Sequence, residues 1–483
     1  MGRKNIILIV SDDHGYADRS LLGHDSAVHT PALDRLAAEG TSHTDAYVTA
    51  PVCSPSRAGL ISGVHQARWG ADFFESSSFP PPTLPTLAER LGAQGYRTGY
   101  LGKVHYGLDE PGSRSCPEQH GFDESFYGLG SGQMGRLNYM RHSRAAQAEY
   151  KEAAAPMAVA PLFDNGEQVE HEGFLTWEIG RRARDFIARA AADEQPFFLL
   201  VAFNAVHNFC WQLPADELRK RGLPHHDDWH PASGATYHDW YDNAIVPNLE
   251  HGREYYLAQL ELMDAEIGQV LDQLDELSLA DDTVVVYTTD NGGSPCNYAS
   301  NTPLRGTKYT LWEGGVRVPM IVRWPGVAQP GATVPGLASS LDLTPTLLRA
   351  AGTKLADDEP CDGQDLSELW TGAGEGHDAL HWTTGPWSWS VRQGDWKLSW
   401  VDPDSTEAGG LRRVEHAPVG SGHFLANLAD DPGEQVNLVE SHPDDFARML
   451  ALHEQWADEV RTSREHYDPL VPEGWRSRSG ASH

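Results

Sequence analysis

Three continuous apolar runs, each ending in residues able to do chemistry, constrain this 483-residue chain more than any other feature. They are Asn5-Ile6-Ile7-Leu8-Ile9-Val10, residues 196–203 and residues 283–289. Their β-branched and aromatic content is the pattern of strands buried on both faces of a parallel sheet. A shorter strand is expected at residues 97–101. Helical periodicity falls between them, at residues 30–40, 84–95, 177–192, 254–277 and 341–351. Strands alternating with helices specify an α/β fold with a large, mostly parallel sheet. Ligands of such sheets bind beyond the carboxyl ends of the strands. The residues just beyond each run are therefore the first candidates for a site.

Asp12 and Asp13 follow the first run, Lys103 and His105 the short strand, His207 the second run, and Asp290 and Asn291 the third. Adjacent carboxylates repel, and a hard cation with oxygen ligands relieves the repulsion; an Asp pair that caps a turn is the alternative. Asp290 and Asn291 would complete an oxygen set with Asp12 and Asp13, and four hard donors favour Ca²⁺ over Zn²⁺. Lys103 and His105, two apart in an extended segment, point the same way and can reach one anion; a solvated Lys beside a core His is the alternative. His207 suits proton transfer near neutral pH. The segment Pro51-Val52-Cys53-Ser54-Pro55-Ser56-Arg57 reads as a loop feeding a helix, with Cys53 and Arg57 one turn apart on one face. That describes either a thiolate lowered in pKa by Arg57 and the helix N-terminus or a buried structural cysteine.

Composition limits the partners. Asp plus Glu number 69 against 37 Lys plus Arg, a net charge of -32, which argues against nucleic acid and anionic membrane as partners. An anionic substrate would need a local basic pocket, screened from the rest beyond about 8 Å. The five cysteines, Cys53, Cys116, Cys210, Cys296 and Cys361, show no Cys-x-x-Cys spacing, so neither a disulfide framework nor a zinc site is indicated. Scattered thiols and a first apolar run of only five residues point to a cytoplasmic protein as the chain stands, without a signal or membrane span.

Cys53-x-Pro55-Ser56-Arg57 followed by Leu60-Ile61-Ser62-Gly63 resembles the signature of the formylglycine-dependent sulfatases, within the alkaline phosphatase superfamily. Gly95-Tyr96-Arg97-Thr98 through Gly102-Lys103-Val104-His105 resembles that family's second signature. Residues 121–128 look like one of its packing segments, in a stretch from 111 to about 169 that is loop-rich and hard to assign. Residues 301–319 resemble the segment carrying a sulfate-contacting lysine, which the match places at Lys308, with Arg305 and Arg317 supporting the loop.

The resemblance implies a sulfuric ester hydrolase. Its nucleophile would be residue 53 after oxidation of the cysteine to formylglycine by a maturation enzyme. One Ca²⁺ would be held by Asp12, Asp13, Asp290, Asn291 and residue 53. Arg57, Lys103 and Lys308 would carry the sulfate charge, His207 with Lys308 would protonate the leaving alcohol, and His105 would assist release. The branch most resembled acts on sulfated sugars, so a sulfated small molecule or saccharide is the expected partner. A phosphonate monoester hydrolase or phosphodiesterase of the same superfamily is the enzymatic alternative, and a noncatalytic binder of sulfated glycan the other. Residues 1–376 would form the catalytic domain. Residues 377–483, with a hairpin over 389–400, a strand at 424–428 and a helix over 444–461, would form a small α+β unit. Residues 225–243, rich in His, Trp, Tyr and Asp, are either a sugar-facing rim or an ordered surface loop.

Overall fold

The computed structural model describes residues 2–471 apart from 75, 108–109, 130–137, 155–156, 242–244, 246–248 and 403–421. Twelve strands succeed one another through the first two-thirds of the chain: β1 (Asn5–Ser11), β2 (Thr41–His43), β3 (Ala46–Tyr47), β4 (Arg97–Lys103), β5 (Glu124–Gly128), β6 (Leu162–Asp164), β7 (Glu167–Val169), β8 (Phe197–Ala202), β9 (Thr283–Thr289), β10 (Met320–Arg323), β11 (Ala332–Val334) and β12 (Ala338–Ser339). Ten of them form one sheet in the order β11-β2-β10-β9-β1-β8-β4-β5-β6-β7, and β3 pairs with β12 apart from it. Strands β9, β1, β8, β4 and β5 are parallel neighbours. Strand β10 runs antiparallel to β9, and β6 antiparallel to β5.

The alternation of side chains along a strand builds a core on each face. Ile7, Ile9, Leu199, Val201, Val285 and Tyr287 pack against the helices Leu175–Ala192 and Gly252–Glu276. Ile6, Leu8, Val10, Phe198, Leu200, Val284 and Val286 pack against Cys53–Ser62, Leu87–Ala93 and Leu343–Ala350. Each such side chain stabilises the fold by roughly 1.5–3 kcal/mol relative to exposure, so the register of the central strands is strongly specified.

Two expectations need correction. The stretch 111–169 is not all loop: it supplies β5, the last parallel strand, the β6–β7 hairpin and a helix at Arg144–Tyr150. Strand β4 runs on to Lys103, so His105 lies beyond it with φ 50° rather than in an extended segment. The helix at Pro31–Glu39 follows Thr30, but that side chain makes no cap bond. The buried carboxylate of Asp264, from a distant helix, accepts the backbone N–H groups of Ala32 and Leu33 at 2.8 and 2.9 Å instead.

A second sheet, antiparallel throughout, contains β13 (Ala379–Thr383), β14 (Ser388–Gln393), β15 (Trp396–Val401) and β16 (Gly422–Asn427) in that order. The helix Pro443–Tyr467 lays Met449 on Val391, Leu398 and Leu425. The hairpin and the helix were legible from the sequence; β13 was not. Residues 403–421 and 472–483 of that unit, and 242–243 of the aromatic 225–243 stretch, lie outside the described residues. Among the described residues no helix is long and apolar enough to cross a membrane.

Candidate active site

Because β9, β1, β8 and β4 are adjacent and parallel, their carboxyl ends share one rim. Asp12 and Asp13 leave β1, Lys103 ends β4, Asn204 to His207 follow β8, and Asp290 and Asn291 follow β9. Close packing of β4 on β8 needs Gly102: φ is 112° there, and a Cβ would lie 1.8 Å from the Ala202 carbonyl oxygen. The Cys53–Ser62 helix is buried along its whole length, and Val52 is its N-cap. It delivers Cys53 and Arg57 to the rim from one face. Lys308 arrives on the loop after β9, its N–H bonded to the Gly293 carbonyl at 3.0 Å.

Asp12, Asp13, Cys53, Arg57, Lys103, His105, His207, Asp290, Asn291 and Lys308 meet here, each no more than a few per cent exposed. Cys53 Sγ lies 3.5 Å from Asp12 Oδ1 and 3.8 Å from Asp13 Oδ1. Lys103 Nζ is 2.5 Å from Asp12 Oδ2 and 3.8 Å from Asp290 Oδ2. Arg57 donates through Nε to Asp290 Oδ2 at 2.8 Å and through Nη1 to the Lys103 carbonyl at 3.2 Å. Lys308 Nζ sits 2.8 Å from Asp13 Oδ1 and 3.0 Å from His207 Nε2. Asn291 donates through Nδ2 to Asp13 Oδ1 at 2.6 Å, while its Oδ1, fully buried, has no hydrogen-bond partner. Asp13 and His105 hold left-handed backbone, with φ 57° and 50°.

The electrostatics come from burying three acids beside three bases. Burial and the Asp290 charge push Asp12 up to about 8, against the pull of Lys103. Burial would raise Asp290 too, but Arg57, Lys103 and Lys308 outweigh it and hold that carboxyl well below the usual range. Burial opposes the charge on Lys308, yet Asp13 and Cys53 keep its ammonium above the ordinary value. Burial and the charges of Lys103, Arg57 and Lys308 keep His105 neutral. The Cys53 thiol is pushed well up, by burial first and by Asp290 next, despite Lys103 and Lys308. This corrects the low-pKa thiolate expected from helix and arginine. Arg57 pairs with Asp290 at 2.8 Å and does not offset the burial of the thiol.

The residues fit a divalent cation. Asp12, Asp13, Cys53 and His207 offer ligand atoms within 4.8 Å of one another. His207 is set apart by its partners: Nδ1 accepts the Asn208 N–H at 2.7 Å, and Nε2 lies 3.0 Å from Lys308 Nζ and 3.3 Å from Asp13 Oδ2, so both ring nitrogens are already engaged. Asp12 and Asp13 are hard oxygen donors, Asp12 raised by burial and by the Asp290 charge, and the orphaned Asn291 Oδ1 is an acceptor in need of a partner. The sequence reading missed Asn297, whose Nδ2 donates to the carbonyls of Asp13 at 3.1 Å and Val206 at 2.6 Å and so ties the ends of β1 and β8 together. No periodicity marks such a residue. Arg305 lies 3.7 Å over the Trp312 ring and donates to the Glu434 carbonyl, and Arg317 pairs with Asp45 and Glu313, both supporting the Lys308 loop.

The chain also has recognisable relatives. A family profile described as "Sulfatase" matches residues 4–353. Arylsulfatase A of Bos taurus is 32% identical over 464 residues, covering 90% of this chain and 83% of its own length. Steryl-sulfatase of Rattus norvegicus is 31% identical over 441 residues, covering 76% and 70%. Among solved structures, Ps i-CgsB in complex with k-i-k-neocarrahexaose superposes with a TM-score of 0.77 at 27% identity, over 97% of this chain and 94% of that one. A rim that joins a cysteine to three buried acids and three buried bases, on this sheet order and with these relatives, identifies the chain as a member of the sulfatase family and a sulfuric ester hydrolase.

Proposed function

We propose that the protein hydrolyses the sulfate ester of a saccharide, with Cys53 matured to formylglycine and one Ca²⁺ held by Asp12, Asp13, Asp290 and Asn291. The observation that carries this reading is the position of Cys53 Sγ, 3.5 Å from Asp12 in a buried cluster that also holds Arg57, Lys103 and Lys308. A hard cation there would supply Lewis-acid polarisation of sulfate oxygens, and a hydrated formylglycine would supply one hydroxyl as nucleophile toward sulfur and a second whose deprotonation would release sulfate together with the first oxygen as the aldehyde re-forms.

The chain's own side chains have distinct tasks. Arg57, Lys103 and Lys308 converge from a helix, a strand end and a loop, so their charges meet the sulfate oxygens without reorganisation. Fixed donors in a dry site stabilise charge far better than water does. His207 Nε2 and Lys308 Nζ lie 3.0 Å apart, and this pair would supply the proton that a departing alkoxide takes. His105, kept neutral by burial and three cations, has an unpartnered Nδ1 able to accept a proton from residue 53. Support for a saccharide comes from the similarity to a structure solved with a neocarrahexaose.

The test compares turnover of an aryl sulfate, an aryl phosphonate and a phosphodiester, with intact mass on the Cys53 peptide. Preference for the sulfate, with the mass lowered by conversion of thiol to aldehyde, supports the reading. Preference for the phosphonate or diester overturns it in favour of another superfamily activity, and an unconverted thiol without turnover in protein expressed with a maturation enzyme overturns it in favour of a glycan binder.

A further inference from the structure

The charged cluster borders a group of aromatic side chains. Val52, the immediate neighbour of Cys53, packs with Phe73 and Tyr309, and Phe74 and Trp387 lie against this group. These rings come from three distant parts of the chain: the loop after the Cys53 helix, the residue next to Lys308, and the turn between β13 and β14 of the second sheet. They touch the groups assigned to proton handling. The Phe74 ring is stacked on His105 with centroids 6.5 Å apart and planes at 26°. Lys308 Nζ lies 5.5 Å from the centre of the Tyr309 ring. Phe74 meets Tyr309 at 6.0 Å, and Phe73 meets Trp387 edge to face at 5.6 Å.

The wall is also held in place. Tyr309 takes left-handed backbone, φ 78°, and its N–H bonds to the Pro51 carbonyl at 2.8 Å, so the loops carrying Lys308 and Cys53 are pinned together at this ring. Phe73 and Tyr309 are buried, whereas Phe74 and Trp387 are only half-buried and keep ring surface open. A sulfate monoester has matching halves, an anionic head and an organic alcohol. A charged cluster and an adjoining aromatic wall beside one nucleophile suit that shape.

We propose that Phe74, Tyr309 and Trp387 form the subsite for the leaving alcohol, and that they select esters whose oxygen is carried by a six-membered ring with a flat C–H or π face. Trp387 is the specificity-determining residue contributed by the second sheet. An aromatic platform recognises an aryl ring and the apolar face of a pyranose by the same contact, so the two sources share one chemistry. This inference rests on the sulfatase reading of the site.

The experiment measures KM and kcat of the full-length, matured enzyme for an aryl sulfate and for a pyranose 6-sulfate, and Ki for inorganic sulfate, in wild type, Trp387→Ala, Trp387→Phe and Phe74→Ala. Loss of a ring contact should raise KM for the ring esters about 3- to 10-fold, with Trp387→Phe recovering most of the loss and Ki for inorganic sulfate unchanged. A rise for both esters supports the shared ring-face subsite. A rise for the aryl ester alone assigns the wall to aryl alcohols, and a rise for the sugar alone assigns it to pyranoses. Unchanged KM for both esters in Trp387→Ala and Phe74→Ala overturns the proposal, as does a Ki for sulfate that rises in parallel, which would mark a structural role. If Trp387→Ala does not fold, Phe74→Ala and Trp387→Phe decide. A wild-type enzyme that releases no sulfate from any ester refutes the sulfatase reading itself, a different failure from that of the wall.

Discussion

Two clusters in this molecule bury carboxylates against bases in equal number and reach opposite ends. At the sheet rim Asp12, Asp13 and Asp290 face Arg57, Lys103 and Lys308. Between the first body and the second sheet, Asp45, Glu313 and Glu434 face Arg317, Arg392 and Lys397. In this second cluster Lys397 Nζ bridges Glu313 at 2.9 Å and Glu434 at 3.2 Å. Tyr47 donates to Glu313 at 2.7 Å, and Glu434 accepts the Glu313 N–H at 2.7 Å. The rim leaves Asn291 Oδ1, Arg57 Nη2 and His105 Nδ1 buried and unpartnered, whereas in the second cluster only Glu434 Oε1 lacks a hydrogen bond, and it still lies 3.2 Å from Lys397 Nζ. An unpaired buried polar group costs about 1–3 kcal/mol, a cost that an outside partner at the rim would relieve. The contrast separates a lock whose charges are paired from within from a site that leaves room for partners from outside.

The largest effect expected is at the nucleophile. Cys53→Ala should lower sulfate release by at least about 10³-fold while leaving the unfolding midpoint nearly unchanged; retained turnover would remove the assignment. Next comes the lock. Lys397→Ala strands Glu313 and Glu434 in a dry interface, so thermal or urea unfolding should show a loss of about 3–5 kcal/mol. Lys308→Ala, in the rim, should impair turnover far more than stability. If the two lysines behave alike, the contrast between the clusters is false.

The cation offers a third test. Ca²⁺ at 100 times its dissociation constant should stabilise the matured protein by about 2.7 kcal/mol, read as a rise in unfolding midpoint, and Asn291→Leu should abolish that rise. His207→Gln gives a smaller, graded effect. Turnover should fall about 10²–10⁴-fold for an alkyl or sugar ester but much less for a nitrophenyl sulfate, whose phenolate needs little protonation. A uniform loss over leaving groups would argue against a proton donor at His207.

The smallest effect belongs to pH. Burial pushes Glu434 up to about 7, with Lys397 pulling down and Glu313 adding to the rise. A carboxyl raised in the folded state binds its proton more tightly there, so its contribution to stability is full below about 4.5 and is lost as pH rises through about 7. Glu434→Gln should flatten that part of the stability profile in urea titrations; an unchanged slope would show that Glu434 titrates as in the unfolded chain.

Much of this site was readable because chemistry and period coincide. Asp12, His207 and Asp290 each follow an apolar run, and parallel neighbours must end at one edge. The aromatic wall was not readable, since Phe74, Tyr309 and Trp387 lie in loops with no period and meet only after two sheets dock. Strand β5 escaped because its five residues, Glu124–Gly128, carry no long apolar run. The low-pKa thiolate failed for a related reason: spacing put Arg57 beside Cys53, but only the fold buried the thiol and brought Asp290 next to it.

By itself, then, the order of residues determined the central strands, the faces they bury and the chemical groups at their ends, because hydrophobic period and strand direction are local properties. Tertiary structure alone decided which acid pairs with which base, which buried atoms go unpartnered, that Asp264 rather than Thr30 caps the helix at Pro31–Glu39, and that a tryptophan from the second sheet lies against the Cys53 pocket. Those outcomes depend on distances between segments far apart along the chain, and burial sets the strength of every charge among them.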